Sequence, residues 1–250
     1  MAHSRDIRIG ASEVKFLVDL ATAAVVREWA RAYLDPDPHG VGVYSDEYRT
    51  TSLYFDTDDY DVFHRRGSFG RGKYRIRRYG DDETVFLERK MRQATVLAKR
   101  RTRADITTLE QLARPHLDPA WSGYWFHRRV ITRRLRPVCQ VSYHRMARLL
   151  TRNGQQARLT LDADLRARTC GDVRFVRCAS APIAGGSAIL ELKFTGPAPT
   201  LFRRLIQDLS LNPQTASKYR MGITNVHGFS SSRVRGFDLV NLGTGEPANL

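Results

Sequence analysis

Toward the end of the chain stands Ala188-Ile189-Leu190-Glu191-Leu192-Lys193-Phe194, closed by Thr195-Gly196-Pro197. Successive side chains of a strand project to opposite faces. Leu190, Leu192 and Phe194 therefore form one apolar face, while Glu191 and Lys193 share the other. The same division recurs where Leu159 and Leu161 oppose Arg158, Thr160 and Asp162. In Lys73-Tyr74-Arg75-Ile76-Arg77 the cations share a face, as do Lys99, Arg101 and Arg103, and Glu88 shares one with Lys90. A single strand of this kind turns one side to the core and one to water. Repetition over several strands changes the reading, because like charges on neighbouring strands repel and their array is costly without an anion among them. If the sheet closes, these residues line a basic bore with a few carboxylates set into it. Such a bore suits a chain of phosphates held by Arg forks and Lys point charges, with Glu holding a divalent metal.

The rest of the chain supplies strands and helices for that sheet. Arg8 to Val18 reads as a first strand, and Asp19 as the N-cap of a helix reaching Tyr33, which Asp35-Pro36-Asp37-Pro38-His39-Gly40 terminates. Alternating segments follow at Thr50–Asp56, Gly72–Tyr79, Thr84–Lys90 and Val96–Arg103, with Gly80-Asp81-Asp82 as a tight turn. Thr107–Leu117 reads as helical and Trp121–Leu135 as helical or irregular. Strands are expected at Val138–Leu150, Ala157–Leu161 and Asp172–Cys178, and helices at Thr200–Leu209 and Thr215–Val226. After Gly228 the composition turns to Ser, Gly, Asn and Pro, so 1–228 reads as one domain and 229–250 as a loosely ordered tail. The fold class expected is α+β, a closed antiparallel β-barrel tunnel of about eight strands with peripheral helices.

The chain has 250 residues, with Lys+Arg 41 against Asp+Glu 26 and a net charge of +15. Such an excess repels itself in the compact state and points to a polyanionic partner. Cys139, Cys170 and Cys178 lack metal-ligand spacing and read as reduced thiols in a cytoplasmic protein. The longest apolar stretches, such as Ala21 to Val26, fall far short of the ~20 residues of a membrane span, and no secretory h-region is expected. The histidines make no HExxH or paired-ligand spacing. Gly67, Gly70 and Gly72 match neither GxGxxG nor a Walker A loop and read as a strand connection. Asp56, Asp58, Asp59 and Asp61 read as a solvated loop, and the aromatic group Trp121 to Phe126 as a packing surface.

Six short motifs stand in a telling order: Glu13-x-Lys15-Phe16, Ser52-Leu53-Tyr54-Phe55-Asp56, Tyr74-Arg75-Ile76-Arg77, Leu87-Glu88-Arg89-Lys90, Leu190-Glu191-Leu192-Lys193 and Ser217-Lys218-Tyr219. In this the chain resembles the polyphosphate polymerase domain of the vacuolar transporter chaperone family, a branch of the triphosphate tunnel metalloenzymes (the CYTH-like superfamily). The resemblance covers Ile7 to Gly228. It implies an eight-stranded tunnel and transfer of the terminal phosphate of ATP to a polyphosphate chain with Mn²⁺ or Mg²⁺. Carried over by position, Arg75, Arg77, Lys90, Lys99 and Lys218 would be catalytic, and Lys15, Arg145, Arg158, Lys193 and Ser217 would bind phosphate. Glu191 would hold the metal, and Ser217 with Lys218 would sit at the tunnel mouth. Hydrolases and cyclases of the superfamily carry Glu-x-Glu-x-Lys on the first strand, whereas Ala11 stands at the first Glu position here, which favours the polymerase branch. Polymerases also tend to carry a Lys where this chain has Thr215.

Three functions remain open on the sequence. The leading one is phosphoryl transfer from ATP to polyphosphate, a chemistry of positioning and charge stabilisation that asks little of covalent catalysis. The alternatives are an inorganic or nucleoside triphosphate hydrolase and a non-catalytic module binding polyphosphate or inositol phosphate. Basic strands carrying Tyr74, Tyr79 and Phe86 could also stack bases, but nucleic acid is the less favoured anion. A separate membrane protein is a conceivable partner for export of the product.

Overall fold

An antiparallel sheet occupies most of the chain. The structure, a computed structural model, describes residues 4–8, 11–93, 96–152, 155–177 and 180–229. Its strands are β1 (Ser4–Arg8), β2 (Ala11–Val18), β3 (Asp35–Pro36), β4 (Glu47–Asp56), β5 (Gly72–Tyr79), β6 (Thr84–Gln93), β7 (Val96–Asp105), β8 (Arg136–Arg152), β9 (Gln155–Thr169), β10 (Ala181–Pro182) and β11 (Ala188–Thr195). They pair in the order β1-β7-β6-β5-β4-β8-β9-β11-β2, with two-residue β10 on β9 and β3 on β8. The two ends of this path, β1 and β2, are consecutive in the chain, so one stretch of polypeptide pairs with β7 through its first part and with β11 through its second.

The helices are α1 (Leu20–Tyr33), α2 (Asp61–His64), α3 (Tyr124–Thr132), α4 (Thr200–Asp208) and α5 (Lys218–His227), with 3-10 turns at Gly67–Arg71 and Ile106–Ala113. α1 begins as its sequence dictates: Asp19 Oδ1 accepts the Thr22 N–H at 2.7 Å, a cap worth about 0.5–2 kcal/mol. Its buried Ala23, Val26 and Ala30 join Phe202 and Leu205 of α4 over Leu190, Leu192 and Phe194 of β11. Full burial of a side chain such as Leu192 stabilises by ~1.5–3 kcal/mol, and that apolar face fixes which way Glu191 points, since a one-residue slip would invert it. α2, α3 and α5 cover a second core containing Leu53, Phe55, Phe63, Ile76, Leu87, Trp125, Phe126, Tyr219 and Ile223. α5 lies very close to β8: a Cβ on Gly222 would stand 2.9 Å from Cys139 Sγ and 3.0 Å from Val141 Cγ2.

Several expectations change. The Arg8–Val18 strand is two strands, with 9–10 outside the described residues. Asp172–Arg177 is irregular rather than a strand, and Cys178 lies outside the described residues. This segment is held by a side chain instead: the Gln140 amide donates to the Val176 carbonyl at 2.7 Å and accepts the Val176 N–H at 3.0 Å, standing in for a neighbouring strand. The final helix starts at Lys218, not Thr215, because Ser217 is its N-cap. The Thr107–Leu117 helix is a 3-10 turn ending at Ala113. Residues 230–250, most of the expected tail, lie outside the described residues. No helix among the described residues is long and apolar enough to cross a membrane.

Candidate functional site

β2 and β11 build the first part of the site. Their antiparallel register sets Glu191 opposite Lys15 and Lys193 opposite Glu13, so all four project to the face opposite Phe16, Leu190 and Leu192. Lys15 Nζ lies 2.7 Å from Glu13 Oε1 and 3.2 Å from Glu191 Oε2, and Lys193 Nζ lies 2.5 Å from Glu191 Oε1. Lys90, from β6, reaches the same group and donates to Glu13 Oε2 at 3.1 Å. Burial and the neighbouring Glu191 favour a protonated Glu13, yet Lys15, Lys193 and Lys90 outweigh them and hold it down to about 2. Glu191 is likewise kept well below the usual carboxylate range, against burial, by Lys193, Lys15, Lys218 and Arg145.

The second part gathers on β5, β6 and β7, where Arg75, Glu88 and Arg101 are successive cross-strand partners and Lys73, Lys90 and Lys99 form the adjacent row. Glu88 is the hub. Arg75 Nε and Nη2 each stand 2.6 Å from Glu88 Oε2, while Lys99 Nζ lies 2.9 Å and Arg101 Nε 3.3 Å from Oε1. Burial opposes ionisation of Glu88, but Arg75, Arg77 and Lys99 hold it well below its ordinary value. Arg77 donates to Ser52 Oγ at 3.2 Å and to the Tyr143 hydroxyl at 3.1 Å, which carries the face on to β4 and β8.

The third part surrounds Asp162 of β9. Arg145 of β8 forks onto it through Nε at 2.6 Å and Nη2 at 2.8 Å, and Lys218, the first residue of α5, sits 2.5 Å from Oδ2. Despite complete burial, Arg145 and Lys218 hold Asp162 at about 2. Arg158 lies further along β9, 2.8 Å from Asp37 Oδ2 and donating to the Tyr48 hydroxyl at 2.9 Å. Lys73 donates to Ser217 Oγ at 3.0 Å. Lys73 is exposed to solvent, yet crowding among its neighbours and the charges of Lys15, Lys90 and Arg75 lower its ammonium toward about 7, with Glu13 offsetting them only in part.

The residues singled out from sequence fall into separate groups: Lys15, Lys90, Glu191 and Lys193 around Glu13, Arg75 and Lys99 on Glu88, Arg77 on Ser52 and Tyr143, Arg145 and Lys218 on Asp162, Arg158 on Asp37 and Tyr48, and Ser217 with Lys73. They differ in availability. Arg145 is almost wholly buried and its fork is taken up by Asp162, whereas the Lys90 and Lys193 side chains remain 39% exposed toward water. Sequence reading gave no site role to Glu13, Glu88, Asp162, Lys73 or Tyr143. Strand alternation placed Glu88, Asp162 and Lys73 on the charged face and Glu13 stood in the first motif; what neither could supply was the cross-strand register that pairs them.

The carboxylates Glu13 and Glu191, hard oxygen donors on adjacent strands and already gripping cations, fit a divalent metal that takes one or two carboxylates and completes its shell from phosphate oxygens. Among the described residues no group of three or more His, Cys, Asp and Glu gathers as an all-protein cage.

Residues 11–227 match the family described as the VTC domain. No curated protein matches the chain in sequence. Among solved structures, a candidate adenylate cyclase from Bacillus halodurans is similar with a TM-score of 0.49 and 15% identity, over 84% of this chain and 96% of that one. The Hippeastrum protein HpAC1, described as having a dominant triphosphatase activity, is similar with a TM-score of 0.47 and 13% identity, over 89% of this chain and 97% of its own.

Proposed function

The chain belongs to the VTC domain family, and from that membership together with its charged face we propose that it is a metal-dependent phosphotransferase that moves the terminal phosphate of ATP onto a polyphosphate chain inside a closed basic tunnel. Closure is supported by the ends of the sheet path being consecutive in the chain and by Lys90 reaching Glu13 from the other side. The observation that carries the reaction is the state of the carboxylates. Glu13, Glu88, Asp162 and Glu191 are each gripped by at least two cations, which suits them to setting cation geometry and leaves them poor bases for activating water. A phosphate-chain acceptor is already anionic and needs no such base.

In this reading Arg75 and Arg77 orient the donor phosphates, and Lys90 and Lys99 neutralise the charge that develops as the bond to the leaving oxygen lengthens. Lys15, Lys193 and Arg158 bind the phosphate chain, while Arg145, its fork taken up by Asp162, fixes the position of that carboxylate. Lys218 and Ser217 stand at the mouth. A terminal oxygen of the acceptor chain attacks the γ-phosphorus, the β–γ bridging P–O bond breaks, and the electron pair leaves with ADP. Mn²⁺ or Mg²⁺, held by Glu191 and Glu13, would supply Lewis-acid charge at the transferring phosphate. The protein's own contribution is a fixed set of cations, which need no reorganisation at the moment of reaction.

Incubation with ATP and Mn²⁺, reading polyphosphate and free phosphate separately, tests this. Polyphosphate with little free phosphate is the expected result. Free phosphate alone makes the protein a hydrolase, and neither product together with tight tripolyphosphate binding makes it a binding module.

A further inference from the structure

Asp56 closes the Ser52-Leu53-Tyr54-Phe55-Asp56 motif, and its surroundings differ from the solvated loop that its acidic neighbours suggest. Asp58 and Asp59 are exposed, but Asp56 is fully buried. Its Oδ1 accepts the Thr57 and Val62 N–H groups, both at 2.8 Å, and Oδ2 accepts the Phe63 N–H at 2.9 Å. The remaining donor is the Tyr219 hydroxyl, from 163 residues further along the chain. The backbone bonds wrap the turn after β4 around the carboxylate. The Tyr219 bond ties that turn to α5.

Residues 218, 219 and 220 form the first turn of α5, and each is anchored differently. Lys218 Nζ stands 2.5 Å from Asp162 Oδ2 and 4.8 Å from the centre of the Tyr143 ring. Tyr219 packs on Tyr54 at 5.2 Å between ring centres and donates to Asp56. Arg220 donates to the Phe63 carbonyl, in the same turn that Asp56 organises. Successive helical residues are rotated by about 100°, so the direction of Tyr219 sets the direction of Lys218. Ser217 caps this turn through the Arg220 N–H at 3.4 Å and accepts from Lys73.

We propose that Asp56 is a positioning residue: through the Tyr219 hydroxyl it locks the rotation of α5 and thereby holds Lys218 and Ser217 at the charged face. Burial and the Asp56 carboxylate push the Tyr219 hydroxyl far above its ordinary value, so it remains the proton donor of this bond at neutral pH. The consequence for phosphate binding rests on the tunnel reading above; the lock itself does not.

Tyr219→Phe removes the hydroxyl and keeps the ring, leaving the backbone donors on Asp56 in place. The experiment compares the full chain with this variant in two ways: amine labelling of individual lysines read by mass spectrometry without ligand, and tripolyphosphate affinity. A hydrogen bond to a charged group contributes enough that Lys218 labelling should rise on the order of tenfold, while Lys99, on β7, stays unchanged. Tripolyphosphate affinity should fall by a similar factor, and Lys218→Met should cost much less in the Tyr219→Phe background than in the parent, since coupled residues are non-additive. Unchanged Lys218 labelling in the folded variant overturns the lock, as does full additivity of the two substitutions. If the parent does not bind tripolyphosphate, the functional reading fails, and the labelling result still decides the lock.

Discussion

Lys90 of β6 donates to Glu13 of β2 at 3.1 Å, although several strands separate β6 from β2 along the sheet. Side chains from strands so far apart in the path meet only if their common face is concave. The contact therefore relates the order of pairing to the geometry of the site. In the proposed tunnel Lys90 would have two duties, closing the face and offering charge to a ligand. Replacing Lys90 with Met should lower tripolyphosphate affinity by ~1.5–3 kcal/mol, the scale of a lost charged hydrogen bond, whereas Lys90→Arg should retain part of it. Calorimetric titration of both variants checks the ordering.

Glu191 is clasped by Lys15 and Lys193 and lies beside Glu13. Glu191→Gln keeps the shape and removes the charge that a hard cation needs. Turnover should fall and should not recover at higher ATP. Parent-like turnover at limiting Mn²⁺ would remove Glu191 from the metal site.

Lys73 gives a pH signature. Its folded value is lowered toward about 7 from the ~10.4 of a free lysine, and although water screens part of this at an exposed residue, the empty protein carries more of it as the neutral amine than a free lysine would. A bound phosphate chain favours the ammonium. Binding at about pH 8 should therefore take up a proton, and affinity should weaken as pH rises through this window. Titration in buffers of unlike ionisation enthalpy should reveal the uptake, and Lys73→Met should abolish it. An uptake that persists in Lys73→Met would assign the proton to another group.

Acid should act on the opposite set. Glu13 and Asp162 have folded values of about 2, below the ordinary carboxylate range. Groups lowered in this way stabilise the fold above their unfolded values of ~4, and that stabilisation is lost as pH falls toward 2. The contribution of these two to thermal stability should be level from neutrality to about pH 5 and decline steeply below ~4. Melting curves across this range, compared with Glu13→Gln, provide the check: the variant should show a shallower acid limb.

The strands that face a helix on one side and charge on the other were legible because both periodicities coincide. Leu190, Leu192 and Phe194 are buried beneath α1 and α4, and Glu191 lies on the other face. The α1 start at Asp19 and the turn at Gly80, where φ is +49°, follow from local chemistry in the same way. Asp56 was misread because its partners are a backbone turn and a tyrosine distant in sequence, neither visible as a local pattern. In β4 the alternating segment Thr50–Asp56 does not separate a core face from a charged one, because a register shift at Tyr54/Phe55 and burial on both sides intervene. Arg145 enters the sequence reading only as a phosphate-binding position implied by the family resemblance, and its pairing with Asp162 is not visible there because it depends on the shift between Ser142 and His144.

The central claim, that this face encloses a linear phosphate chain, is tested most directly by competition between polyphosphate and duplex DNA of equal charge at about 0.3 M salt, where surface attraction is strongly screened. A duplex about 20 Å wide cannot enter a small barrel, whereas a bare phosphate chain can. The parent protein should keep polyphosphate and release DNA. Arg75→Lys with Arg77→Lys preserves net charge but removes the forks that bind Glu88, Ser52 and Tyr143 and would grip phosphate, so it should lose polyphosphate. Duplex DNA competing as well as polyphosphate, or a lysine pair binding like the parent, would contradict the tunnel and make the basic face an open surface.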